Sequence, residues 1–477
     1  MSGAEPKCLW TAAEFVAAIG GSLDGALARA ITGVSMDSRT LAPGEAFFAI
    51  TGERLDGHRF VAAALARGAA VAVVADGFDR QDATGAILRV DEPLAAMRRL
   101  AGAARARSTA RIIAVTGSVG KTGTKQGLAL ALAASGETHA SPASFNNHWG
   151  VPFALANLPL KARFGVFEIG MNHAGEIRPL SRLVRPHIAL VTAVAPVHIG
   201  HLGSIEAIAD AKAEIFDGLA GGGLAVLNRD NDQFARLAAA AVGAGARVVS
   251  FGEHEEAEAR LVSHVHEAGG SLVEADILGA RVAYRLAAPG RHVVQNSLAV
   301  LAVTSLAGAD LARGARALSQ WLPARGRGER TVLCGGGGRM VLIDESYNAN
   351  PASMGAAIAG LGAARPEGEG RRIAVLGDML ELGELAGRAH LELREPIVNR
   401  GIDLVFACGP LMRGLFDALP AGLRGGYAES CEELEGTVLA ALRPGDVIMI
   451  KGSFAIGMGR LVEALKRPGQ ARAMGKE

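Results

Sequence analysis

The chain has 477 residues, 49% hydrophobic and 20% charged. That is enough for about three domains that each bury a core, and too apolar to stay disordered. With 49 Lys and Arg against 48 Asp and Glu, and only 4% aromatic residues, it offers neither the field nor the stacking platforms of a nucleic-acid binder. No run approaches the roughly 20 apolar residues that cross a bilayer. Glu14 interrupts the short leader-like stretch at 8–21, and Cys8, Cys334, Cys408 and Cys431 show neither zinc spacing nor a dense disulfide framework. A cytoplasmic protein is expected, with no membrane insertion and no nucleic-acid partner.

Residues 1–108 read as a first domain. Strand-like runs at 46–50 and 70–74 flank a helical stretch at 60–67, and the Ala- and Arg-rich segment 94–107 has helical spacing.

A second domain, 109–325, opens on the β-branched run Arg111-Ile112-Ile113-Ala114-Val115-Thr116. The turn Gly117-Ser118-Val119-Gly120-Lys121-Thr122 follows, then a helical 125–132. Strand, glycine-rich turn and helix with Gly-Lys-Thr at its start is the layout of a phosphate-binding loop. Gly117 and Gly120 let backbone N–H groups close around phosphate oxygens, Lys121 reaches the outer phosphates, and the Thr122 hydroxyl can ligate magnesium. Val115 stands where the commoner pattern has Gly, which makes this a short variant. Further on, apolar runs at 164–169, 188–194, 223–227 and 248–251 alternate with helical stretches such as 204–219, which predicts a parallel sheet covered on both faces.

Four features of this domain could carry chemistry. Asn146-Asn147 is either a turn former or part of a binding loop. Glu168 ends an apolar strand, where ligands of such sheets gather, and reads as a second magnesium anchor opposite Thr122 or as a capping or surface Glu. His198 follows the run 188–194 and is either an inert loop histidine or a metal or phosphate group. Lys212 reads on its own as a solvated helical lysine.

The Pro-, Gly- and Arg-rich segment 322–328 reads as a linker into a third domain, 326–477. Strands are predicted at 340–343, 372–376, 404–407 and 447–450, with a hairpin turn at 335–338. Three strand ends carry polar groups: Asp344 through Asn350, Asp378 with Glu381, and Lys451-Gly452-Ser453. Together they suggest one binding face, although each alone could be a helix cap. No repeat of 20–50 residues runs through the chain.

Six motifs in this order resemble the Mur ligases, ATP-dependent amide-forming enzymes of peptidoglycan precursor synthesis. They are Asp37-Ser38-Arg39 with Gly52 through His58, Thr116 through Thr122, Asn146 through Pro152, Glu168 through Ile177, Asp344 through Pro351 and Gly377 through Gly383. The resemblance runs from about Ser35 to Leu465. It implies an α/β fold of three domains: a small N-terminal α/β domain for the UDP-substrate, a central P-loop parallel-sheet ATPase domain and a Rossmann-like C-terminal ligase domain. It implies ATP bound by Gly117, Ser118, Val119, Gly120, Lys121, Thr122 and Gly123, with Asn296 on the adenine and Arg327, Glu345 and Tyr347 reaching in from the third domain. Two Mg2+ ions are implied, one on Thr122 and Glu168, the other on His198 and a carbamylated Lys212. Lys121, His198 and Lys212 would be catalytic. Ser38, Arg39, Asn146, Asn147, Tyr347, Asn348 and Asn350 would bind substrate. The protein is expected to be monomeric.

The implied partners are a UDP-N-acetylmuramoyl-tripeptide and D-alanyl-D-alanine. The tripeptide carboxylate, too poor an electrophile by itself, attacks the γ-phosphorus to give an acyl phosphate, and the dipeptide amine then displaces phosphate. Three places depart from the family pattern: Gly123 for Ser or Thr, Glu345 for Asp, and the run Phe454 through Gly459 that separates Lys451-Gly452-Ser453 from Arg460, where an Arg is usually close by. A sister ligase, a folylpolyglutamate-type ligase, an inactive regulatory homologue and a nucleotide switch are the rival readings. The switch lacks its base-reading lysine in Asn228-Arg229-Asp230-Asn231-Asp232.

Overall fold

The computed structural model describes residues 8–27, 30–52, 55–80, 83–197, 199–267, 270–288, 290–323, 325–335 and 338–467. Glu53, Arg54 and His198 therefore lie outside the described residues. The described strands form three sheets. The N-terminal one holds β1 (Ser22–Asp24), β2 (Gly33–Ser35), β3 (Glu45–Phe48), β4 (Val71–Ala75) and β5 (Ile87–Val90) in the order β1-β5-β4-β3-β2. All neighbours pair parallel except β1 with β5.

The helix Pro93–Arg107 links this sheet to the next. The Glu92 carboxylate accepts from Leu94 N and Ala95 N, and Pro93 opens the first turn, two devices that start a helix. Its face Ala96, Met97, Leu100, Ala101 and Ala104 lies in one apolar core with Phe48 and Leu88 of the first sheet and with Leu155, Ala189 and Ile208 of the second domain. Side chains tie the same junction. Asn157 Oδ1 accepts from Val34 N at 2.8 Å and its Nδ2 donates to Val34 O at 3.1 Å. The Arg105 guanidinium donates to Val184 O and Arg185 O, both at 2.8 Å. The first two domains thus share a core, where length alone suggests one core each.

The central sheet contains β6 (Arg111–Thr116), β7 (Thr138–Ala140), β8 (Phe164–Glu168), β9 (Ile188–Val191), β10 (Leu224–Asn228), β11 (Arg247–Gly252), β12 (Ala259–Glu267), β13 (Gly270–Ile277) and β14 (Ala280–Leu286). Their order is β14-β13-β12-β11-β10-β9-β6-β8-β7. Pairing is parallel from β7 to β12. The last two joints are antiparallel, a meander that the expectation of a parallel sheet leaves out. Its mark is the period-two burial of Val273, Ala275 and Ile277. Beneath the sheet, the helices Lys121–Ala133 and Arg291–Leu306 bury Leu128, Leu132, Leu298 and Leu301 with Ile113 and Val115.

The third sheet has its own cores on its two faces. It contains β15 (Glu329–Gly335), β16 (Gly338–Glu345), β17 (Arg372–Gly377), β18 (Leu404–Cys408), β19 (Arg424–Ala428) and β20 (Val447–Lys451), ordered β15-β16-β20-β17-β18-β19. Only β15 pairs antiparallel, with β16, and the pair Gly335 and Gly338 closes the hairpin. The expected turn falls on residues 336 and 337, which lie outside the described residues; β15 before it is not among the predicted strands.

Gly127 and Gly123 make contrasting cases on the helix Lys121–Ala133. A Cβ on Gly127 would stand 3.0 Å from Trp321 Cε2 and Cζ2, whereas one on Gly123 meets nothing nearer than 4.0 Å. Gly127→Ala is expected to cost about 1–3 kcal/mol by overpacking. Gly123→Ala should stabilise by about 0.5–1 kcal/mol through helix propensity. Calorimetric melting of both variants checks the ordering; equal melting temperatures would contradict the Trp321 packing.

Candidate active site

The turn after β6 is held by its neighbours. Gly117 has φ 146° and Gly120 φ 83°, backbone that favours glycine. A Cβ on Gly117 would fall 2.0 Å from Thr192 Oγ1, and one on Gly120 2.8 Å from Asn296 Nδ2. Thr192 Oγ1 donates to Val119 O at 2.6 Å, Ser118 N to Ala193 O at 2.7 Å, and Ser118 Oγ both donates to Ala195 O and accepts from Ala195 N at 3.0 Å. The Ser118 hydroxyl is thereby committed to the segment after β9. The helix that follows starts at Gly120 without a side-chain cap, leaving its first N–H groups for an anion.

Lys121 Nζ reaches back across the turn to Gly117 O at 2.6 Å. Burial lowers its pKa to about 8; Glu168 opposes that shift and Arg327 adds to it. Glu168 itself is fully buried. Its Oε1 accepts from Asn146 Nδ2 at 2.7 Å and Thr122 Oγ1 at 3.1 Å, while Oε2 has no hydrogen bond and stands 3.4 Å from Lys125 Nζ. Thr122 Oγ1 is also 3.2 Å from Ser144 Oγ, which accepts from Arg327 Nη2 at 3.4 Å. A buried carboxylate with one oxygen free beside a threonine hydroxyl supplies the hard oxygen donors that Mg2+ takes. Among the described residues no three of the types His, Cys, Asp and Glu converge on one point.

Lys212 is buried on the helix Ile205–Ala213, not solvated as its sequence alone suggests. Burial, reinforced by the charge of Lys121, pushes its pKa well below the usual lysine value. That shift favours the neutral amine, the form that adds to carbon dioxide.

The other expected residues divide. Asn146 joins the cluster, but Asn147 Oδ1 accepts from Trp149 N and Gly150 N and so starts the helix Gly150–Ala156. Tyr347 lies under the Arg327 guanidinium at 4.1 Å and beside the exposed Phe454 ring at 5.8 Å. Glu345 pairs with Lys451 at 3.3 Å, and Lys451 Nζ also donates to Asn348 O at 2.9 Å. Asn350 Oδ1 is engaged by Ser353 N in the cap of the helix Pro351–Gly362. Ser38 and Arg39 belong to a turn of the first domain, where Arg39 pairs with Asp37 at 2.8 Å and holds its carboxyl at about 2. Arg460 is taken by Glu432 at 2.8 Å.

Three residues at the site escape the sequence reading. Lys125 lies one helical turn after Lys121, a spacing that could have flagged it; its ammonium also donates to Ala143 O. Ser144 bridges Thr122 to Arg327 and carries no motif signal. His292 comes within the influence of Glu345 and Lys451, and burial lowers its pKa.

Family models match along most of the chain: "Mur ligase family, catalytic domain" over residues 30–105, "Mur ligase middle domain" over 115–304 and "Mur ligase, glutamate ligase domain" over 326–454. With the phosphate loop, the buried Glu168 and the third-domain arginine in place, the chain belongs to the Mur ligase family. Its relatives include the UDP-N-acetylmuramoyl-tripeptide–D-alanyl-D-alanine ligases of Escherichia coli K12, 33% identical over 91% of this chain and 94% of that protein, and of Bacillus subtilis 168, 32% identical over 91% and 93%. Among solved structures, MurF from Acinetobacter baumannii superposes with a TM-score of 0.81 at 29% identity, covering 96% of this chain and 98% of that one.

The lysine of the loop makes nucleotide affinity pH-dependent. A polyphosphate favours the charged form of Lys121, so binding above pH 8 must take up a proton. ADP affinity is expected to be flat below about pH 8 and to fall above it, with proton uptake visible when calorimetry is repeated in buffers of different ionisation enthalpy. A flat affinity from pH 7 to 9.5 would contradict the assignment.

Proposed function

We infer that the chain is an ATP-dependent ligase that joins D-alanyl-D-alanine to UDP-N-acetylmuramoyl-tripeptide in peptidoglycan precursor synthesis. The observation that carries the residue assignment is the cluster of Lys121, Thr122, Glu168 and Ser144, met by Arg327 from the third domain. In this reading the nucleotide phosphates lie on the turn Gly117–Gly123, with Asn296 beside the loop on the adenine side. The tripeptide carboxylate oxygen bonds to the γ-phosphorus as the bond to the β-phosphate oxygen breaks and ADP departs. Lys121 and Arg327 stabilise the charge that spreads over the phosphoryl oxygens. The neutral amine of D-alanyl-D-alanine then bonds to the acyl carbon, phosphate leaves with the C–O bond pair, and the amine proton passes to solvent.

Thr122 and Glu168 would hold one Mg2+ ion and His198 with a carbamylated Lys212 a second, and the ions would supply further positive charge to the phosphates. The orphaned Glu168 Oε2 and the low-pKa Lys212 amine support that assignment. A carbamate at Lys212 would also turn its repulsion of Lys121 into attraction. Ser38 and Arg39 would meet the uridine nucleotide, while Glu345, Tyr347, Asn348 and Asn350 would line the third-domain side. Boundaries at 108/109 and 325/326, a cytoplasmic location and a monomeric state complete the reading. No helix among the described residues is long and apolar enough to cross a membrane.

Phosphate release from ATP, UDP-N-acetylmuramoyl-tripeptide and D-alanyl-D-alanine, compared with single amino acids as acceptors, tests the substrate. Lys121→Ala should lower the rate by roughly 100- to 1000-fold; a variant that keeps most of its activity would sink the role of the loop. Lys212 has a separate check. With 13C-bicarbonate, a carbamate carbon signal is expected in the native protein and not in Lys212→Ala, and its absence from both would remove the carbamate.

A further inference from the structure

Cys408 and Cys431, 23 residues apart in sequence, meet in the third domain. The Cys408 thiol donates to Cys431 Sγ at 3.6 Å, and Cys431 Sγ is 3.1 Å from Met458 Sδ. All three side chains are buried. The surroundings of the two thiols differ. Cys431 is the first residue of the helix Cys431–Ala441, whose cap is Ser430. The Cys408 donor and then the Arg460 charge favour its thiolate against burial and Glu435, and its pKa is lowered. The same contact and burial raise that of Cys408.

The sulfur cluster lies beneath the binding face. Cys408 ends β18 opposite Gly377 of β17, and its carbonyl accepts from Asp378 N at 3.2 Å. Met458 packs under two strand ends: its Sδ is 2.8 Å from where a Gly377 Cβ would stand and its Cγ 2.6 Å from that of Gly452. From these ends run the segment 378–383 and Ser453, joined by Ser453 N to Asp378 O at 3.0 Å and Leu380 N to Ser453 Oγ at 2.9 Å. The segment reaches the second domain, where Glu381 O accepts from Gly200 N at 3.4 Å.

We propose that Cys408 and Cys431 form a peroxide-oxidised, thiol-reversible disulfide whose closure shifts Met458 and the segment 378–383 and thereby slows ligation. The Cys431 thiolate attacks one peroxide oxygen, the O–O bond breaks, and a sulfenic acid forms as hydroxide or alkoxide leaves. Cys408 sulfur then attacks Cys431 sulfur, the S–O bond breaks, and the departing oxygen takes the Cys408 proton to leave as water. Two electrons pass from the two thiols to the peroxide. The sulfurs must close by about 1.5 Å to reach bonding distance, and Met458, in contact with one of them, cannot stay where it is. Only the effect on rate rests on the ligase reading; the cross-link does not.

The test uses the full chain with the exposed Cys8 and Cys334 changed to Ser. It is treated with hydrogen peroxide, desalted, mapped by mass spectrometry without reductant and assayed for ligation. A linked Cys408–Cys431 peptide pair is expected, with a rate loss of roughly ten- to a hundredfold that dithiothreitol restores. Cys408→Ala should stop at a dimedone-trapped sulfenic acid on Cys431 and lose the reversible inhibition. Thiols that react only after unfolding overturn the pair. A cross-link without rate loss overturns its coupling to ligation, and so does a loss that follows Met458 sulfoxide and ignores dithiothreitol.

Discussion

A single buried carboxylate faces an excess of positive charge at the centre of this molecule. Glu168 is fully enclosed and hydrogen-bonded on one oxygen only, while Lys121, Lys125, Lys212 and Arg327 come near it or near one another. Bringing that many cations out of water is costly, and one carboxylate cannot offset them all. Burial is the main cause of the lowered lysine pKa values; neighbouring cations add to it, and Glu168 opposes it at Lys121 and Lys125. A polyphosphate would bring negative charge to this cluster. Every strand end that reaches this cluster is placed by the parallel order of β8, β6 and β9.

Around that centre the three domains are not equivalent. The first two are one body, joined by the apolar face of the helix Pro93–Arg107 and by the Asn157 and Arg105 hydrogen bonds. The third keeps its own cores, and its contacts with the rest include polar ones: Arg327 with Ser144, and the backbone of Glu381 with Gly200. Apolar joints resist displacement and polar ones exchange readily with water. The joint to the third domain is therefore the one expected to yield first.

How much of this could be read from residues alone depends on the range of the interaction. The phosphate loop is local, and strand, glycines, lysine and threonine all fall within a dozen positions. Glu168 was legible because a charged residue in an apolar strand needs a reason. Lys212 was not, because nothing in Ala211-Lys212-Ala213 tells a solvated helix face from one buried near Lys121; only the family resemblance marked it. Ser144 and His292 act through partners more than 20 residues away, and no pattern joins them. The strands β13 and β14 are antiparallel additions whose alternation was present but outweighed by the parallel rhythm before them. Asn147 and Asn350 look like binding residues in the motif and serve as helix starts in the structure, since the same amide oxygen suits both tasks.

Arg327 lies in the linker segment 322–328, at the point where the chain passes from the second domain into the third. Displacement in a rotation grows with distance from the axis, so a group beside the pivot moves little while the far rim sweeps widely. Were the third domain to turn about this linker, the stack of Arg327 on Tyr347 and its bond to Ser144 would change less than the positions of Lys451 and Phe454. The arginine would act as an axle pin, keeping one cation at the nucleotide whichever way the outer domain is turned.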